Sequence, residues 1–171
     1  TLQLQEQEVI RMFREDFVWG VASSAYQVEG TDAADGRGAC VWDMFAADGR
    51  VFEHQNADTS CDHMHHYKED IALMRHLGIH AYRFSLNWAR ILPEGTGRVN
   101  EKAIAMYRDM ILTMKENGIT PYLTLFHWEF PQALYERGGW QNPDVVQWFG
   151  EYAKVVAENF SDICEYFITI N

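Results

Sequence analysis

The sequence predicts an α/β protein built on a parallel sheet, comprising roughly the first four β/α units of a (β/α)8 TIM barrel. Three observations lead there. Strand-like runs at 17–23, 79–85, 119–126 and 166–170 alternate with helix-like stretches, in a βαβαβαβ order. Leu77-Gly78-Ile79-His80-Ala81-Tyr82 returns as Asn117-Gly118-Ile119-Thr120-Pro121-Tyr122, and the shift of 40 residues from Gly78 to Gly118 also carries Trp88 onto Trp128. Each run ends in polar and aromatic groups: Gln27, Asn87-Trp88, His127-Trp128 and Asn171. Side chains at the carboxyl ends of parallel strands reach one face, where a small polar ligand can bind.

A complete barrel takes about 250 residues or more, so 171 residues supply four strands and three crossover helices. Residues 15–171 are expected to form the N-terminal half of a barrel, and residues 1–14 an extension. A flavodoxin-like open sheet is the competing arrangement. Against it, Gly36-Arg37-Gly38 follows no strand and lacks the third glycine of a phosphate turn.

The elements follow in order. A helix is predicted over about 62–77, closed by Gly78 as a left-handed terminator before the second strand. Residues 28–60 and 87–99 hold most of the glycine and proline and read as loops, the first long enough to be functional. Asn100 is read as the cap of a helix with the stripe Ile104, Tyr107, Met110 (or Ile111) and Met114, ending at Gly118. Asn142-Pro143 reads as N-cap and first-turn proline of a third helix. Its apolar stripe is Val145, Trp148, Phe149, Tyr152, Val156 and Phe160. The strands 81–86 and 122–126 are short and apolar, as strands covered on both faces must be.

Composition narrows the function. The chain is 47% hydrophobic and 23% charged, which is globular. Its net charge of −11 argues against nucleic acid and against an anionic membrane surface as partners. No apolar run reaches the ~18–20 residues that span a bilayer, and residues 1–14 include acidic residues and lack the apolar core of a secretory signal. Cys40, Cys61 and Cys164 are odd in number and scattered, so reduced thiols in a cytoplasm are expected. His63, His65 and His66 do not share one helical face and read as solvated helix residues, with no metal and no cofactor expected.

One stretch, Phe17-Val18-Trp19-Gly20-Val21-Ala22-Ser23-Ser24-Ala25-Tyr26-Gln27-Val28-Glu29-Gly30, resembles the N-terminal signature of glycoside hydrolase family 1, the β-glucosidases and their relatives. Further segments agree in order: Cys40-Val41-Trp42-Asp43, Ala57-Asp58 with Cys61-Asp62-His63, Tyr67-Lys68-Glu69-Asp70, and Tyr82-Arg83-Phe84-Ser85 with Trp88, Arg90-Ile91 and Pro93. His127-Trp128, Pro131-Gln132-Ala133-Leu134 and Gly138-Gly139-Trp140 complete the set. The resemblance departs at Met64 and His66, where Tyr and Arg are usual, and at Glu129-Phe130, where Asp-Leu is frequent. The last departure bears on substrate preference because it adjoins His127-Trp128.

The resemblance implies a retaining β-glycosidase, most simply a β-glucosidase acting on β-D-glycosides. Such chemistry needs two carboxylates about 5–5.5 Å apart, one acid/base and one nucleophile. In the family the acid/base is the Glu of a T-x-N-E-P segment. Thr169-Ile170-Asn171 supplies the T-x-N, so the acid/base is expected directly after Asn171, and no catalytic residue is assigned within the chain. What the resemblance assigns here is the sugar-holding half. Gln27 is implied to bond the hydroxyls at the far end of the non-reducing sugar, His127 to donate to an adjacent hydroxyl and Trp128 to contact the same ring region. Asn171 is implied to hold the 2-hydroxyl, and Arg83 to lie beneath the nucleophile and keep it ionised.

Taken singly, these residues have plainer readings. Gln27 alone reads as a turn residue and His127 alone as a core or surface histidine. Arg83 in an apolar strand calls for a carboxylate partner. Asp58 and Asp62 read as a loop-ordering residue and a helix cap; Trp88 and Trp140 read equally as core or as sugar platform. Two functions are therefore carried forward. One is half of a glycosidase, active when a complementary C-terminal half-barrel completes it. The other is a non-catalytic sugar-binding or structural half-barrel.

Overall fold

The computed structural model describes residues 13–31 and 33–171. Most of the expected extension, residues 1–12, lies outside the described residues. The elements are β1 (Gly20–Ala22), α1 (Ala25–Val28), α2 (Val41–Ala47), α3 (His63–His76), β2 (Ala81–Ser85), α4 (Trp88–Ile91), α5 (Glu101–Glu116), β3 (Thr120–Phe126), α6 (Gln132–Tyr135), α7 (Val145–Phe160) and β4 (Tyr166–Ile170). The strands form one parallel sheet in the order β1-β2-β3-β4. Each strand adds beside its predecessor without a reversal. That succession is the one a closing barrel requires, and a doubly wound sheet, whose order reverses at a switch point, does not have it.

The helix ends follow the sequence at Gly78 and Gly118, whose φ values of 73° and 72° are left-handed. A Cβ at either would meet no neighbour, so backbone conformation alone selects glycine there. Elsewhere the boundaries differ. Of the run 17–23 only Gly20–Ala22 joins the ladder, because Phe17 and Trp19 pack their rings on Phe13, at 4.6 and 4.9 Å, outside the sheet. Helix α7 begins at Val145 with Asp144 at its N-cap. Asn142 instead builds the preceding turn, its side chain accepting from Asp144 N and donating to the Arg137 carbonyl. Asn100 holds the N-cap position of α5 but makes no side-chain cap bond; its amide donates to the carbonyls of Asp35 and Arg90 at 3.0 Å.

The two segments read as loops contain helices. Within 28–60, α2 is started by Asp43, whose carboxylate accepts from Cys40 N at 2.7 Å and is gripped from the other side by both Arg37 Nη atoms. Seven residues are too few for an apolar period to stand out. The rest of this segment is pinned by a buried polar cluster. Arg90 donates to Glu29, Asp35 and the Gly30 carbonyl, while Tyr107 donates to Glu29 at 2.7 Å. Burial raises the Glu29 pKa and the Arg90 guanidinium opposes that shift.

The core lies between the sheet and the helices. Tyr82, Phe84, Leu123 and Leu125 meet Ile71 of α3, the stripe Ile104, Tyr107, Met110, Ile111 and Met114 of α5, and Trp148, Tyr152, Val156 and Phe160 of α7. Each fully buried large apolar side chain contributes about 1.5–3 kcal/mol. Trp88 is core, fully buried and stacked on Tyr152 at 4.8 Å. Trp140 is half exposed and packs its edge on Phe126.

On the opposite face of the sheet the pleat aligns one row across all four strands: Ala22, Arg83, Tyr122 and Tyr166. The outer strands are open. Every residue of β1 and β4 is exposed, including Val21, Phe167 and Ile170. An unpaired apolar strand templates association, so the 171-residue chain purified alone should self-associate or aggregate. Light scattering at micromolar concentration checks this, and a sharply melting monomer would contradict it.

Candidate functional site

The sheet gathers the sequence-predicted residues at its carboxyl edge. Gln27 sits on α1, the single turn that follows β1, and is exposed. His127 and Trp128 directly follow β3, and Asn171 directly follows β4, its N–H donating to the Phe126 carbonyl at 3.0 Å. Arg83 is the middle residue of β2, lower than the others. Among the described residues no hydrogen bond joins the side chains of Gln27, Asn171 and His127 to one another; their shared edge is set by the strands.

Arg83 and His127 do meet. Arg83 Nη1 lies 3.3 Å from His127 Nδ1. A guanidinium only donates, so Nδ1 accepts and the imidazole proton sits on Nε2. Burial and the Arg83 charge both lower the His127 pKa, which keeps the ring neutral. The result is a fixed tautomer with one N–H left to donate. Arg83 is only partly buried and makes no ion pair among the described residues. The carboxylate partner expected from its strand position is thus absent there, and a histidine takes one of its donors.

Aromatic rings continue the site outward. Tyr26, Trp42 and Trp128 follow one another at 5.8 and 5.7 Å between centroids, and Trp128 meets His127 edge-on at 5.1 Å. Trp128 is 49% exposed and has a φ of 87°, the positive region that a bulky side chain rarely adopts. Such a conformation costs about 1–3 kcal/mol and persists only where surroundings impose it. Here Phe130 N donates to the Trp128 carbonyl at 2.7 Å and the Trp42 ring lies alongside.

Besides the Arg83–His127 pairing, two features were not foreseen. Glu129, next to the exposed Trp128, is turned inward and is 0% exposed. Its Oε1 accepts from Tyr26 N at 2.6 Å. Its place beside His127-Trp128 was the available signal, but nothing in sequence says which way a loop carboxylate points. His63 is also buried rather than solvated, bonded through Nδ1 to Asp70 at 2.6 Å, whereas His65 and His66 are exposed and bonded to Asp62 and Glu69. Asp58 orders the loop as expected, accepting from Thr31 Oγ1. Asp62 stands at the N-cap of α3 in a left-handed conformation, without a side-chain cap bond.

A parallel sheet in barrel succession, with polar and aromatic groups at the carboxyl ends of its strands, places the chain in the class of (β/α)8-barrel proteins. The family model for glycosyl hydrolase family 1 matches residues 9–171. The chain belongs to that family. It is 47% identical over 163 residues to β-glucosidase A of Thermotoga maritima, covering 95% of this chain and 36% of that protein. It is 44% identical over 160 residues to β-glucosidase A of Acetivibrio thermocellus, covering 93% and 36%. The structure of the Thermotoga maritima β-glucosidase in complex with deoxynojirimycin superposes with a TM-score of 0.90 at 48% identity, covering 93% of this chain and 37% of that one. The chain therefore spans little more than a third of the length of these relatives.

Proposed function

We propose that this chain supplies the sugar-holding half of a retaining β-glycosidase, with a β-D-glucoside as the substrate and a complementary half-barrel carrying both catalytic glutamates. The observation that carries the reading is the neutral, tautomer-fixed His127 at the same sheet edge as Gln27, Trp128 and Asn171. A neutral glycoside offers hydroxyls and apolar ring faces, and this edge offers an N–H donor, two amides and exposed indole. In this reading His127 Nε2 donates to a ring hydroxyl, and Gln27 both donates and accepts at the far end of the sugar. Trp128 covers the ring beside them. Asn171 bonds the 2-hydroxyl, whose contacts strengthen as charge develops at the anomeric carbon. Arg83, already committed to His127, has further donors with which to hold the nucleophile ionised.

Residues 15–171 act as one half-barrel unit in this proposal. The three free thiols point to the cytoplasm as its compartment. No helix among the described residues is long and apolar enough to cross a membrane. The test uses a completed barrel: this chain joined to the segment of Thermotoga maritima β-glucosidase A that follows the matched region. Hydrolysis of an aryl β-glucoside with retention at the anomeric carbon supports the proposal. A folded barrel that leaves the glucoside intact overturns it.

A further inference from the structure

We propose that Glu129 is a positioning residue for the sugar site, its carboxyl tying the backbone at Tyr26-Gln27 to the turn that carries His127 and Trp128. The inference rests on the sugar-binding reading of those residues. Gln27 and His127 follow β1 and β3, which are separated by β2, so no ladder hydrogen bond sets the spacing of their loops. That spacing is set above the sheet. The first N–H groups of a helix lack intrahelical partners, and α1 has no side-chain cap. Its first residue, Ala25, donates to Ser85 Oγ at the end of β2, at 2.8 Å. Its second, Tyr26, donates to Glu129 Oε1 across 103 residues of chain, at 2.6 Å. The turn bearing Gln27 is thereby fastened to the end of β2 and to the turn that follows β3, and Glu129 is its attachment to the His127 side.

The carboxyl is sealed in. Glu129 Oε2 is buried without a hydrogen-bond partner among the described residues. Burial pushes the pKa up to about 8, with the Tyr26 N–H pulling it down; Glu29 raises it further and Arg37 lowers it. From α7, Tyr152 faces it and gives its own hydroxyl to the Leu125 carbonyl. His127, two residues earlier, is held neutral. The clamp therefore works as a carboxylic acid at neutral pH, with Oε1 still an acceptor. Because the folded pKa lies above the unfolded value, the stabilisation is complete below the ordinary glutamate range and is lost as pH rises through about 8.

Three forms of the completed barrel test this: unmodified, Glu129→Gln and Glu129→Leu. The amide keeps an acceptor oxygen and cannot ionise; leucine keeps the bulk and accepts nothing. Each is assayed on an aryl β-glucoside and on an analogue lacking the hydroxyl at the far end of the ring, and each is melted across the neutral pH range. Glu129→Gln should retain kcat/KM within about threefold and should lose the fall in melting temperature between weakly acidic and weakly alkaline pH. Glu129→Leu should lose about tenfold or more on the glucoside but much less on the deoxy analogue, which cannot report the Gln27–His127 spacing. Equal losses on both substrates, or no loss on either, would overturn the proposal, as would a Glu129→Gln variant as impaired as Glu129→Leu. Should Glu129→Leu not fold, Glu129→Asp, shorter by one methylene, takes its place under the same criteria. The Tyr26 amide resonance supplies a readout independent of catalysis. If the unmodified barrel folds without hydrolysing the glucoside, a Tyr26 amide shift that titrates near pH 8 and vanishes in Glu129→Gln keeps the clamp while the sugar reading fails. An amide that does not follow Glu129 rejects the clamp itself.

Discussion

The 171-residue chain on its own should give no turnover of an aryl β-glucoside, and the completed barrel should give it readily. Retaining hydrolysis needs two carboxylates about 5–5.5 Å apart across the scissile bond. None of the four strands carries a carboxylate. Glu129, three residues past β3, is sealed from solvent and engaged by the Tyr26 amide. General acid–base catalysis alone contributes about a hundred- to ten-thousand-fold, and covalent catalysis is lost with it. Hydrogen bonds that hold the sugar cannot replace a proton donor or a nucleophile. Chromophore release by the purified chain, above a contaminant control, would contradict this.

In the completed barrel, Gln27→Ala and His127→Ala should each lower kcat/KM by about 2–4 kcal/mol equivalent, the range seen when a positioned transition-state donor is removed. The loss should appear in kcat as well as KM, because in the proposed role these bonds orient the ring while it distorts. His127 also has a defined pH behaviour. Its neutral form is stabilised against protonation by burial and by Arg83, so Nδ1 should go on accepting from Arg83 to a pH below the ordinary histidine range, while the Nε2 N–H is present in both forms. Steady-state kinetics of the two variants decide the point, and unmodified kcat/KM in both would make them structural bystanders.

Much of the fold was legible because its signals are local. The paired glycines at 78 and 118 announce helix ends through a backbone requirement, and the stripes of α5 and α7 announce which helix face meets the sheet. Short elements were not legible. Helix α2 has no full apolar period and is set by the Arg37–Asp43 fork, a contact whose geometry sequence does not state. The start of α7 moved from Asn142 to Asp144 because Asn142 is used twice in the preceding turn. For the site, the strand-end pattern grouped the candidate residues, and the sheet sets them along one edge. The inward turn of Glu129, the burial of His63 and the Arg83–His127 pairing depend on side-chain direction after folding, and residue order leaves those undetermined.

The most direct measurement is a crystal structure of the completed barrel with deoxynojirimycin bound. The expected result places the inhibitor at the carboxyl edge of the sheet, with Gln27, His127 Nε2 and Asn171 each within about 3.2 Å of a ring hydroxyl and the Trp128 indole against the ring. An inhibitor bound elsewhere, or one at this edge that leaves Gln27 and His127 beyond hydrogen-bonding reach, would contradict the assignment of this chain as the sugar-holding half.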